Sequence, residues 1–389
     1  MCSDLYLPAM PNVMEYYQTA PSAVQASLTA SFLGLAIGQL VIGPVSDAYG
    51  RLLPLFISLV FFTVTSFLCT LAPNIQLFIA IRFMQGLAAS GGIVLTRSIA
   101  CDQFRGNELT SFMSFLMSIN SLAPILAPII GSFIISFAPW QVLFYVLAVW
   151  GLSLILATWA FIDESHPKSA RVPDIKSSLS LVKIELVNSK FMLMTVSLAS
   201  IMGGFFSYLS ASPFVFQIIY MLSPVEYSFT FAFISICISV VSASAGILSR
   251  KFGEKNVVWF AYFFMFVAAM AILIEAFFPP DSFIPVLLTL ALFCSMMGLS
   301  QSAGFGLVMS VKRGGAGAAS GLFGVIFFLF GSLVSPFVGI MGENSMIPLG
   351  INLVTCVILA MILMKIAIYV KTNNNLSDRN KGEGIGSNA

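Results

Sequence analysis

Gly43-Pro-Val-Ser-Asp47-Ala-Tyr-Gly50-Arg51 holds an acid, a base, two glycines and a proline at the junction of two apolar runs, 24–46 and 52–71. A helix needs about 20 predominantly apolar residues to cross hydrocarbon. The stretch therefore reads as the short polar return between two spans. It has a weak echo in Gly246-Ile-Leu-Ser-Arg250-Lys-Phe-Gly253, offset by 203. Pro128-Ile-Ile-Gly131 is echoed in Pro336-Phe-Val-Gly339 at offset 208, and Gly86-Leu-Ala in Gly298-Leu-Ser at 212. Three echoes in one order at nearly one offset indicate two related halves.

Apolar runs recur on both sides of that return, at 75–98, 108–136, 141–162, 191–219, 226–249, 257–278, 284–310, 315–341 and 346–370, making eleven full spans. The composition agrees: 58% hydrophobic and 9% charged over 389 residues, against about 25% charged in an ordinary soluble domain. Seventeen of the eighteen basic residues fall on alternate breaks or in the tail, and only Arg82 lies well inside a span. By the positive-inside rule the basic side is cytoplasmic, as is the C-terminus. A net charge of +2 argues against nucleic acid. The six cysteines lie mostly within apolar runs without metal spacing and read as small packed hydrophobes. No signal-peptide pattern is read at the start. The predicted organisation is an N-terminal bundle over 1–162, a cytoplasmic linker over 163–190, a C-terminal bundle over 191–370 and a tail over 371–389. Parallel halves joined in this way are a transporter plan.

The opening MCSDLYLPAMP looks like the end of a helix. Pro8 aligns with Pro213 at offset 205, and on that comparison roughly 15 residues of a membrane-spanning helix are missing before it. Asp4 is then expected about midway along the original helix.

Gly43 to Arg51 resembles the signature of the major facilitator superfamily. Asp4-Leu-Tyr-Leu-Pro8-Ala-Met-Pro11, Arg82-Phe-Met-Gln85-Gly86, Ala127-Pro128-Ile-Ile-Gly131 and Trp140-Gln-Val-Leu-Phe144 together resemble its Bcr/CflA drug-resistance branch. The resemblance covers the whole chain apart from an incomplete first helix and Leu52-Leu53-Pro54 in place of further basic residues after Arg51. It implies an all-α membrane protein of major-facilitator fold, two six-helix bundles around a central cavity. It also implies polyspecific drug export by proton antiport at the inner membrane, with no cofactor beyond the proton gradient and no metal. The expected partners are small-molecule substrates, protons and the lipid bilayer, around a monomer.

Within that frame Asp4 is the expected proton carrier. Burying a carboxylate favours its neutral form, and one group can hold a proton or a cationic drug but not both. The alternative is an exposed terminal residue. Arg82 stays charged, so it must face protein or a wet cavity, with Gln85 three residues on along the same face. It serves the proton and substrate pathway or is a hydrogen-bond hub. Tyr6, Asn120, Tyr208, Gln217 and Gln301 complete the candidate substrate contacts. Gly43, Asp47, Gly50, Arg51 and Asp102 are expected to form a conformational latch, with Arg51 bridging to Asp102 and Asp47 near the start of the eleventh helix, around Gly315. Pro124, Pro128 and Gly131 are expected to bend the fifth span, an element the resemblance assigns to exporters. Gly34-xxx-Gly38 and Gly317-xxx-Gly321 predict close helix packing. The glycine-rich 313–321 segment has the wrong spacing for a phosphate loop. No zinc-protease or nucleophile-elbow motif occurs, which argues against an enzyme. Two other readings stay open: proton-linked export of a natural metabolite (sugar, amino acid or siderophore), and a non-transporting relic or sensor.

Overall fold

A computed structural model describes residues 2–104, 123–165, 183–313, 316–341 and 345–369, with no strand among them. The chain begins with α1 (Cys2–Tyr6), tightens into a 3-10 turn at Leu7–Ala9 and continues as α2 (Met10–Tyr17). Pro8 lies in that turn because it has no N–H to donate and its ring crowds the preceding turn. The first half is completed by α3 (Pro21–Tyr49), α4 (Leu52–Thr70), α5 (Ile75–Gln103), α6 (Ala123–Phe137) and α7 (Gln141–Phe161). The second half comprises α8 (Ser189–Phe214), α9 (Pro224–Phe252), α10 (Glu254–Phe277), α11 (Ile284–Ser310), α12 (Ala316–Val334) and α13 (Ile347–Tyr369).

Among the described residues ten helices are long and apolar enough to cross a membrane. The remaining expected span, 108–136, is described only from Ala123, as the shorter α6. Large apolar side chains such as Val64, Phe133, Trp159 and Phe263 cover the outside. Helices that are apolar all round belong in lipid.

The repeat is visible in backbone geometry. Helices α3 and α9 are each 29 residues long, begin on a proline and end on a glycine of positive φ, 96° at Gly50 and 82° at Gly253. Starts and ends share the 203-residue offset first read from the glycines. A proline has no N–H to leave unpaired in a first turn, and only glycine takes a left-handed turn without penalty.

Small residues bring backbones together as Gly34-xxx-Gly38 predicts. A Cβ on Gly34 would collide with the Phe83 carbonyl oxygen, and one on Gly86 with that of Ser31, so α3 and α5 pack backbone to backbone. Gly131 of α6 sits in the same way on the Leu5 carbonyl of α1. Gly321 departs from expectation: among the described residues no atom outside its own helix lies within 4 Å of where its Cβ would be. It marks open space rather than a packing face.

The halves meet at the end opposite the basic residues. There Thr29 and Ser335 share a hydroxyl hydrogen bond of 2.6 Å, Ser132 donates to Ser228 at 3.1 Å, and Gln217 Nε2 donates to the Pro8 carbonyl at 3.2 Å. Toward mid-depth Phe32 stacks on Phe206 with ring centroids 4.2 Å apart. One hydrophobic core runs through both halves across this seam. At the basic end Ile42, Leu55, Leu59 and Leu95 form a separate small cluster within the first half.

Candidate functional site

The initial helical segment packs into the bundle, with Leu5, Tyr6, Leu7, Pro8, Ala9, Met10 and Val13 all buried. Cys2 and Tyr6 are four residues apart on one face of α1, and that face meets Arg82 of α5. Arg82 is fully buried. Its Nη1 donates to Gln85 Oε1 and, at 3.3 Å, to Cys2 Sγ. The guanidinium carbon lies 5.0 Å from the ring centroid of Tyr6 and 5.5 Å from that of Phe144. Aromatic faces attract a cation most strongly where water is excluded, by about 2 kcal/mol or more. This helps to hold a charge that insertion scales place at about 2.5–3.5 kcal/mol unfavourable at mid-membrane. Gln85 in turn donates to Ser66 at 2.7 Å, and Tyr6 shares a 3.0 Å hydroxyl hydrogen bond with Ser27. Two guanidinium nitrogens, Nε and Nη2, have no hydrogen-bond partner among the described residues.

Asp4 lies midway between Cys2 and Tyr6. At 100° per residue it projects from the opposite side of α1, half-buried, with its charge within electrostatic reach of the Tyr227 hydroxyl in the second half. The acid and the side chains that meet the arginine thus lie on different faces of one short helix. Tyr227 is fully buried and shares a 3.0 Å hydroxyl hydrogen bond with Ser212. Nothing in its sequence context distinguished it from the other tyrosines; its position opposite Asp4 arises from the packing of the two halves.

The other candidates are dispersed. Tyr208 is buried and stacks on Phe231 at 6.0 Å. Gln217 follows Pro213 in a π-helical turn, Val215–Ile219, and is part of the seam. Gln301 donates to the Leu198 carbonyl at 2.9 Å, while its Oε1 is buried without a partner among the described residues. Gln39 Nε2, which the sequence reading missed, is orphaned in the same way, and its side chain approaches Gly324 across the halves. Asn120 lies outside the described residues. Pro124 is half-buried and Pro128 buried in α6.

At the basic end Arg51 Nε donates to Asp102 Oδ2 at 2.9 Å, and Nη1 donates to Ser46 Oγ at 2.7 Å. Ser46 Oγ donates back to the Gly43 carbonyl at 2.8 Å. Gly50 supplies the turn that places Arg51 here. Glu164, also missed, accepts from the backbone N–H of Arg51 at 2.9 Å and of Leu52 at 3.3 Å, and so satisfies two of the free donors at the start of α4. The Asp47 side chain and Gly315 are outside what the structure describes.

The sequence and the fold have counterparts in known proteins. A Bacillus subtilis (strain 168) protein described as "Uncharacterized MFS-type transporter YdgK" is 37% identical over 91% of this chain and 89% of its own length. The "Bicyclomycin resistance protein homolog" of Haemophilus influenzae is 26% identical over 97% of this chain and 94% of its own. Among solved structures, the xylose transporter XylE from E. coli superposes with a TM-score of 0.71 at 14% identity, covering 95% of this chain and 96% of XylE. The model of the Major Facilitator Superfamily matches residues 1–336. With its repeated helical halves and this match over most of its length, the chain belongs to the Major Facilitator Superfamily of membrane transporters.

Proposed function

We propose that the protein is a proton-coupled exporter of drugs or other amphipathic small molecules, working at the inner membrane with its basic face and C-terminus in the cytoplasm. The observation that carries this reading is that α1 carries a half-buried acid, Asp4, on one face and on the other meets the fully buried Arg82 of α5, two of whose guanidinium nitrogens have no hydrogen-bond partner among the described residues. A buried titratable group at the seam can exchange a proton for a cation while the halves move. The resistance name of the Haemophilus influenzae relative supports drugs as cargo. In this mechanism the bundles 1–162 and 191–370 rock about the midplane. Asp4 alternates between proton and substrate, and Arg82 with Gln85 holds polar substrate groups. Tyr6, Tyr208, Gln217, Gln301 and Asn120 shape the path. Gly43, Asp47, Gly50, Arg51 and Asp102 bias one orientation, and Pro124, Pro128 and Gly131 keep the fifth span tight against α1.

The test is drug-driven proton movement across vesicles reconstituted with the purified protein. Asp4→Asn is expected to abolish it while the protein still inserts. Undiminished proton movement in Asp4→Asn would overturn the assignment. Arg82→Lys keeps the charge but loses the planar fork, and transport is expected to fall at least tenfold.

A further inference from the structure

A cleft lies away from the midplane site. It has a volume of about 440 Å³ and is lined by Lys255 and Trp259 of α10 with Met361, Ile362, Lys365 and Tyr369 of α13. Lys255 is in the first turn of α10 and Lys365 lies four residues before the end of α13, so both ammonium groups sit at the basic end of the bundle. Neither lysine has an ion pair or a hydrogen bond among the described residues. The neighbouring acid, Glu254, turns toward Gly306 of α11. Lys251, one turn earlier in the chain, lies over the Phe252 ring at 5.2 Å.

We propose that this cleft binds an anionic phospholipid, with its phosphate held between Lys255 and Lys365 and an acyl chain along Met361 and Ile362. Two like charges converging on one concavity without a counter-ion among the described residues call for an anion. The aromatic pair is of the kind that sits at headgroup depth, and lysine stems can lie along apolar surface while their charge reaches the phosphate. The apolar side includes Ile362, which faces outward and not into the bundle. A soluble anion would find no use for that apolar side, whereas a lipid uses both. Basic pockets between membrane helices on the cytoplasmic side are suited to anionic headgroups.

Native mass spectrometry of the full-length protein in detergent tests this, using phosphatidylglycerol and phosphatidylcholine with identical chains. Phosphatidylglycerol is expected to bind at least tenfold more tightly. Each lysine near an anionic headgroup contributes roughly a fivefold factor, so K255Q/K365Q should lose about 25-fold. The pair K183Q/K312Q, on the same face but outside the cleft, should stay within twofold of the parent. Equal binding of the two lipids would overturn the proposal. So would a K255Q/K365Q protein that holds phosphatidylglycerol as the parent does, or an equal loss in K183Q/K312Q. Displacement of the lipid by millimolar glycerol phosphate would assign the cleft to a soluble anion and also overturn it.

Discussion

Tyr6 shows how much one side chain can do at the start of this chain. Its ring lies under the Arg82 guanidinium and packs against Phe78 and Phe144, while its hydroxyl meets Ser27. These contributions are separable. Tyr6→Phe keeps the ring and should destabilise by about 1 kcal/mol, the net worth of a hydrogen bond. Tyr6→Leu also removes the aromatic face and should cost about 2 kcal/mol more. Thermal unfolding followed with a fluorogenic maleimide reads both, because Cys69, Cys294 and Cys356 are free thiols buried until the fold opens. Equal losses for the two variants would show that the cation gains nothing from the ring. The sequence singled out Arg82 because a charge within a span is conspicuous. It did not single out Cys2 or Ser66, and it gave Phe144 no part in the site; their types are ordinary in an apolar helix and their role comes from which helices touch. Asp4 and Arg82 were legible as a pair of unusual residues; that Asp4 leaves α1 by the face opposite the one that meets Arg82 follows only from its helical register.

Helices α3 and α9 are the best-read elements, because their ends are written in residues with local meaning. Proline and glycine impose the same start and stop wherever they occur, so the 203-residue repeat survives in geometry although little else between the two helices matches. The same reasoning predicts equal penalties. Gly50→Ala and Gly253→Ala should each destabilise by about 1 kcal/mol, the cost of placing a Cβ in a left-handed turn. Among the described residues Gly253 has nothing within 4 Å of the added carbon, so its loss is backbone strain. Gly86→Val should cost more, about 1–3 kcal/mol, because it pushes α5 off the Ser31 carbonyl of α3. The same thiol-unfolding measurement ranks the three, and a Gly86→Val protein as stable as the parent would refute backbone contact between these helices. Gly321 was misread because a small-residue spacing says only that close approach of helices is sterically allowed. Whether a partner helix is there depends on the surrounding bundle.

Across the whole molecule, polar and aromatic contacts join the halves at the end opposite the basic residues, while the first half keeps a separate cluster at the basic end. Thr29 and Ser335 lie on that seam, 2.6 Å apart between hydroxyl oxygens. In T29C/S335C an oxidant should form a disulfide that holds the seam shut. Transport should then fall to background and return on reduction, and transport unaffected by the crosslink would mean that the seam does not open during the cycle. The span count and the two-half plan followed from apolar length and basic alternation, both of which are local. The seam was not legible, since Phe32, Phe206 and Phe328 are three of 37 phenylalanines and only their meeting distinguishes them. Parting them would wet aromatic surface, and hydrating apolar surface raises heat capacity. The balance between closed and open seams should therefore trace a curve on a van't Hoff plot, so that a preference set at one growth temperature does not extrapolate linearly to another.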